Sequence, residues 1–210
     1  MSLHQRGDEF VIRVGRHELM NSRSHTSEDV LGELAIRETT YTQAPAVLIG
    51  GLGMGFTLAS ALQSLPRAGT ILVAELVPQV IAWNRDLFSS LPNSGPSTKG
   101  LEDPRVSIYE GDVGAQILGA SKKWDAILLD IDNGPEGLTQ SENDGLYSLG
   151  GLKKAKRALR KGGILAIWSA SLDGPFEARL RQAGFKVRTE AVRAHGKKGR
   201  RHFIWVARRS

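Results

Sequence analysis

The chain has 210 residues, a formal charge of +6, a pI near 9.8 and no cysteine. Its length fits one ordinary domain with a small appendage, and a hydrophobic fraction of 40% allows a normal core. The absence of cysteine excludes a disulfide framework and a thiolate metal site. No apolar run spans a bilayer and the opening MSLHQRGDEF carries no apolar leader, so a cytoplasmic protein with no membrane partner is expected.

Residues 10–20 (FVIRVGRHELM) alternate weakly around a glycine and predict a short N-terminal β-hairpin. Ser27 stands ahead of an amphipathic run, 30–36, and predicts a capped helix in a region that Pro45 closes. Residues 1–44 thus read as an appendage of hairpin and helix, and 45–210 as the main domain. Within it, strands are expected at 46–50, 70–75, 106–110, 124–130 and 164–169. Helices are expected at 56–65, 77–88, 113–120, 152–159 and 175–183, with a polar loop at 91–100 and Gly162-Gly163 ending the fourth helix. This alternation predicts an α/β fold: a doubly wound, Rossmann-like parallel sheet with helices on both faces.

The chain closes differently. Strands expected at 185–192 and 202–207 are separated only by the glycine- and lysine-rich 194–201, too short for a crossover helix, so they must pair antiparallel. A mostly parallel sheet with an antiparallel last strand resembles the class I fold that binds S-adenosylmethionine. Much of the positive charge lies in 153–161 and 186–209. Such runs read as solvated faces. They also admit a non-enzymatic reading, a nucleic-acid-binding module with 195–202 as its basic tip.

The stretch VLIGGLGMGF (47–56) places Gly51, Gly53 and Gly55 at a strand-to-helix turn. Glycine permits positive φ and lets a ligand press on bare backbone, and the helix that follows presents unpaired amides. A dinucleotide, a nucleoside triphosphate and a sulfonium nucleoside all suit such a turn. The dinucleotide fingerprint G-x-G-x-x-G fails, because its third glycine falls on Phe56 or on Leu58 depending on register. A P-loop needs a lysine that the turn lacks.

Glu75 ends the second strand, about twenty residues beyond the glycines, where a carboxylate accepts bonds from ribose hydroxyls. Asp112, followed by Val113, ends the third strand and suits an adenine amino group or a helix cap. Together they outline a nucleoside crevice. Asp130 ends the apolar fourth strand, Asp132 follows, and Asn133-Gly134-Pro135 forces a turn. Carboxylates there fit a sulfonium and a cationic amine, whose proton they can accept; an Asx-turn with solvated acids is the plainer alternative.

The pieces VLIGGLGMGFTL, AELVPQVIAWNR, DPRVSIYEGD, WDAILLDIDNGP, LYS and LRKGGILAI appear in an order that resembles the spermidine synthase family of aminopropyltransferases. They span residues 46–168, with a family-like HELMNSRSHTSED before them. The resemblance implies decarboxylated S-adenosylmethionine, or S-adenosylmethionine, as co-substrate, no metal, and in-line transfer of an aminopropyl group to a small-molecule amine, as in polyamine biosynthesis. It implies Glu75 on ribose, Asp112 (with Val113) on adenine, and Asp130 as the central carboxylate. Asp132, Asn133 and Tyr147 are the expected acceptor-side residues, and a homodimer is expected.

Three departures fall on the acceptor side. The family's D-S-S/T-D has acids three apart, whereas the residue three after Asp130 is Asn133. Its Asp-Glu-x-x-Tyr-His-Glu is reduced to Glu28-Asp29-Val30-Leu31-Gly32-Glu33, and its glutamine after the fifth strand is absent from 166–170. The alternative is an S-adenosylmethionine methyltransferase of the same fold, with Glu136 where an amino methyltransferase's Asn-Pro-Pro-aromatic motif has its aromatic residue.

Overall fold

A computed structural model describes residues 1–39, 43–88, 100–131, 145–195 and 198–210. The N-terminus forms a three-stranded antiparallel sheet, β1 (Ser2–Arg6), β2 (Glu9–Val14) and β3 (His17–Asn21), one strand more than the expected hairpin. The extra strand is built from SLHQR, which is polar and almost fully exposed and so carries no alternating hydrophobic signal.

Helix α1 (Thr26–Glu38) follows, with His25 rather than Ser27 as its N-cap and no side-chain capping bond. Ser27 lies inside the first turn and is completely buried. The capping expectation fails because the Ser27 hydroxyl is turned to the side chains of Glu28 and His202 instead of to a backbone amide.

The main sheet has seven strands in the order β6-β5-β4-β7-β8-β10-β9: β4 (Ala46–Gly50), β5 (Thr70–Glu75), β6 (Val106–Glu110), β7 (Trp124–Leu129), β8 (Leu159–Ser169), β9 (Phe185–His195) and β10 (Lys198–Arg209). The pairings β4–β5, β4–β7, β5–β6 and β7–β8 are parallel, and β10 runs antiparallel to both β8 and β9. The reversed strand is therefore last in the chain but sits between two strands in space.

Helices α2 (Phe56–Ser64), α3 (Pro78–Asp86), α4 (Val113–Leu118), α5 (Leu149–Ala158) and α6 (Gly174–Gln182) cover the two faces. Helix α5 ends at Ala158 and β8 begins at once, so Gly162-Gly163 does not end the helix as expected. The glycines lie within the strand, and Gly163 is close to the Asp125 and Arg160 carbonyls.

Strand alternation builds two cores. Val47 and Ile49 face α1, α2 and α3, whereas Leu48 faces α4, α5 and α6. Each of these fully buried aliphatics contributes roughly 1.5–3 kcal/mol of burial. A smaller third core, with Phe10, Ile12, Met54, Phe56 and Phe88, fastens the N-terminal sheet beside the glycine turn.

Helix α1 approaches α2 so closely that a Cβ on Gly32 would lie 2.5 Å from the Thr57 carbonyl oxygen. Gly32 is thus a packing residue. It stands at the contact that fixes where the start of α1 meets the sheet. Among the described residues no helix is long and apolar enough to cross a membrane.

Candidate functional site

Four parallel strands end in a row joined by backbone. The Asp130 amide donates to the Gly50 carbonyl (2.9 Å), Gly51 to Ala74 (2.9 Å) and Gly111 to Glu75 (2.8 Å). These bonds link the tips of β7, β4, β5 and β6 into a continuous ledge. Gly51 has φ +89, and a Cβ there would lie 2.2 Å from the Asp130 carbonyl oxygen. Only a residue without a side chain lets the turn close against β7.

A cavity of about 610 Å³ opens over this ledge, within the range of small-molecule sites. The N-terminal sheet supplies its far wall through Ile12, Val14, Leu19 and Met20. Gly51, Gly53, Glu75, Asp112, Val113 and Asp130 all line it, so six of the sequence-expected residues meet in one place. Gly55 stands behind them as the N-cap of α2, with φ +82.

Glu75 is 7% exposed and shapes the turn from the β5 tip. Its Oε2 accepts from the Leu52 amide and its Oε1 from the Val77 amide, each at 2.8 Å. A carboxylate has about four acceptor positions, so two remain for hydroxyl groups. Asn84 braces the turn from α3, donating through Nδ2 to the Gly53 carbonyl at 2.8 Å. Asp112 is the N-cap of α4, its Oδ1 accepting from Gly114, and it also lines the cavity.

Asp132 and Asn133 lie outside the described residues. Tyr147 is not among the described residues that line the cavity. It is buried in the core that packs under α4, α5 and α6, with its ring edge-on to Phe176 at 5.6 Å between centroids.

Three residues at the cavity wall or directly behind it escaped the sequence expectations. Glu28, in the first turn of α1, is 7% exposed and faces the cavity together with Asp130. Thr57 ties Asp130 to the backbone of α1: its Oγ1 donates to Asp130 Oδ2 at 2.5 Å and lies 3.4 Å from the Glu28 main-chain carbonyl oxygen. Trp168, at the end of β8, lines the cavity, and its indole N–H has no hydrogen-bond partner among the described residues.

Glu28 carried one usable signal, an acid at the start of a helix in a family-like segment, but nothing local said that it turns inward. Burial, followed by the neighbouring charge of Asp130, pushes the Glu28 carboxyl up to about 7. Burial also pushes Asp130 up to about 6, although the Thr57 hydroxyl favours its charged form. Two acids held this way titrate as a coupled pair, both displaced upward by burial.

Chemically, the ledge offers glycine backbone and acceptor oxygens to a nucleoside. The neighbouring acids offer charge to a cation and a place for its proton. The lining contains four carboxylates, Glu28, Glu75, Asp112 and Asp130, and no lysine or arginine among the described residues. Among the described residues no group of three or more His, Asp or Glu is placed to hold a metal ion.

No protein-family model and no curated protein matches the chain. Solved structures do. A spermidine synthase in complex with the transition-state analogue AdoDATO is 15% identical with a TM-score of 0.73, covering 100% of this chain and 72% of its own. Spermidine synthase from Thermotoga maritima is 16% identical with a TM-score of 0.71, over 100% and 72% of the two chains. The precorrin-6y C5,15-methyltransferase of Geobacter metallireducens is 15% identical with a TM-score of 0.56, over 85% and 87%. The chain therefore has the class I S-adenosylmethionine-dependent methyltransferase fold, in a divergent form similar to the spermidine synthases.

Proposed function

We propose that the protein is a transferase that binds decarboxylated S-adenosylmethionine on the β4–β6 ledge and passes its aminopropyl group to an amine. The observation that carries this reading is the charge of the cavity, four carboxylates with no lysine or arginine among its described lining residues. A methionine carboxylate in that space meets only like charges, each unfavourable in a partly desolvated site. The decarboxylated form presents a sulfonium and an ammonium, and the acceptor a further ammonium, so every charge finds an opposite one.

In this reading Glu75 takes the ribose hydroxyls through its two remaining acceptor positions, and Asp112 takes the adenine amino group. Asp130 sits at the junction of ledge and acceptor space. It accepts the proton of the incoming ammonium and so frees the nitrogen lone pair. That lone pair forms the new C–N bond as the C–S bond breaks, and the bonding electrons return to sulfur, leaving a neutral thioether nucleoside.

Calorimetric titration with S-adenosylmethionine, its decarboxylated form and methylthioadenosine tests the reading. Decarboxylated ligand should bind at least ~10-fold more tightly than the intact one, a difference of about 1.4 kcal/mol that one unfavourable carboxylate supplies. Equal or tighter binding of the intact ligand would overturn aminopropyl transfer and leave the methyltransferase reading standing.

A further inference from the structure

Beside the cavity, a chain of hydrogen bonds runs from Glu28 to strand β10. The Ser27 hydroxyl donates to Glu28 Oε2 at 2.5 Å and lies 2.8 Å from His202 Nδ1. Ser27 is fully buried, whereas His202, on β10, is only partly covered and follows the exposed Arg201. The His202 ring packs on Trp168, itself a cavity residue, at 4.9 Å between centroids. These contacts join α1 to a strand 175 residues away, and nothing in nucleoside binding requires them.

A serine hydroxyl has a single proton. While Ser27 donates to ionised Glu28, His202 Nδ1 must carry the hydrogen that points at Ser27 Oγ. When Glu28 is protonated the polarity reverses: Glu28 donates to Ser27, and Ser27 donates to a bare Nδ1. The same three residues are thus hydrogen-bonded in either direction, as a proton wire requires.

We propose that Ser27 and His202 form the exit path for the proton released during group transfer, receiving it from the Asp130 and Glu28 carboxylates and delivering it to solvent. This rests on the aminopropyl-transfer reading. Conversion of an ammonium acceptor and a sulfonium donor into a secondary ammonium and a neutral thioether leaves one proton per turnover in a buried site. Asp130 takes it first. Glu28 is the next carboxylate, lining the same cavity and close enough to feel the charge of Asp130, and Ser27 and His202 continue the route outward.

The titratable groups facing Glu28 are Asp130 at the β7 tip and His25 at the start of α1. Beside His202, the paired position on β9 is the uncharged Val192, and the adjacent Arg193–Arg201 pair carries the nearest charges along the ladder. Burial and Asp130 hold Glu28 near 7, so both polarities of the wire are populated at neutral pH. Ser27 and His202 are positioning and relay residues. Neither touches the reacting atoms.

The test uses the full chain with carbon-13 carboxyl and nitrogen-15 imidazole labels, with no ligand added. In the wild type, the His202 ring signals should show a second inflection at the pH where the Glu28 carboxyl titrates, and Ser27→Ala should abolish it. A His202 titration that is the same in both proteins would overturn the wire. Turnover supplies the second arm, with decarboxylated S-adenosylmethionine and a panel of short diamines. Ser27→Ala and His202→Asn should each slow kcat by at least ~10-fold, a fraction of the usual acid–base contribution, and flatten its pH profile, with methylthioadenosine affinity within about twofold of the wild type. Unchanged kcat and pH profile in both variants would overturn the proposal. Absence of any wild-type transfer would overturn the functional reading and with it the exit role, whereas the coupled titration, measured without substrate, tests the hydrogen-bonded wire by itself.

Discussion

The two halves of the cavity are built in opposite ways. On the ledge side, each polar group is satisfied close to its own strand tip: Glu75 by Leu52 and Val77, Asp112 by Gly114, Gly51 by Ala74. On the acid side, Glu28, Thr57 and Asp130 come from three different elements, and two carboxylates share one buried space. The ledge is a rigid backbone feature with acceptors to spare. The acid side holds charge that the fold would lose stability by ionising, a feature expected where proton transfer occurs.

The largest predicted effect breaks the ledge. Gly51→Ala puts a Cβ 2.2 Å from the Asp130 carbonyl oxygen at φ +89, so the backbone of the turn or of β7 must shift. The left-handed conformation costs about 1–2 kcal/mol and the overpacking about 1–3 kcal/mol more, giving a loss of roughly 2–5 kcal/mol. Denaturant unfolding should show it, together with loss of nucleoside binding. A variant as stable as the wild type would mean that the turn does not close on β7.

Asp130→Asn probes the other half and should separate it from the first. Nucleoside binding should stay within a few fold, because the ledge is untouched, while transfer falls by ~100-fold or more, the usual scale for an acid–base group. Single-turnover kinetics beside a binding titration reads both. Wild-type turnover would remove Asp130 from the chemistry.

This contrast also explains what was legible in the sequence. The β4, β5 and β6 strands were readable because apolar runs end at glycines or acids, and their tips were therefore placed residue by residue. The acids of the ledge sit on those tips, so reading the strands placed them around one cavity. Glu28 was not placed, since its inward turn depends on Gly32 letting α1 sink onto α2, a contact between segments distant in sequence. Ser27 was misread for a related reason: a hydroxyl at a helix start ordinarily caps, and only the arrival of His202 on β10 gives it other partners.

A smaller effect follows from the sign of the buried titrations. Glu28 is raised in the folded state from about 4.5 to about 7, and Asp130 from about 3.8 to about 6. A raised acid contributes stability below its unfolded value, and that stability is lost as pH rises through the folded value. The fold should therefore weaken between about pH 4 and 7 from this pair. Asp103, held down at about 2 by its bond to Arg105, acts in the opposite window and weakens the fold only as pH falls below about 4. Glu28→Gln should leave stability unchanged near pH 4 and raise it by a kcal/mol or more at pH 8. Urea midpoints across that range measure it, and a variant less stable than the wild type at pH 8 would show that Glu28 is not a buried acid.

The smallest effect tests how the N-terminal sheet meets the ledge. Gly53 has φ +53, and a Cβ there would lie 2.7 Å from the Met20 sulfur, the far end of a flexible side chain. Gly53→Ala therefore bears the left-handed cost of about 1–2 kcal/mol, while Met20 can swing aside. Its new position should narrow the cavity, so nucleoside affinity falls even though the protein stays folded. Met20→Ala in the same chain gives the Cβ room. The double variant should recover affinity but keep the conformational cost, a coupling of about 0.5 kcal/mol or more between residues in contact. Additive effects on affinity would show that Met20 does not cover the turn in solution, and the wall that β3 gives the cavity would have to be redrawn.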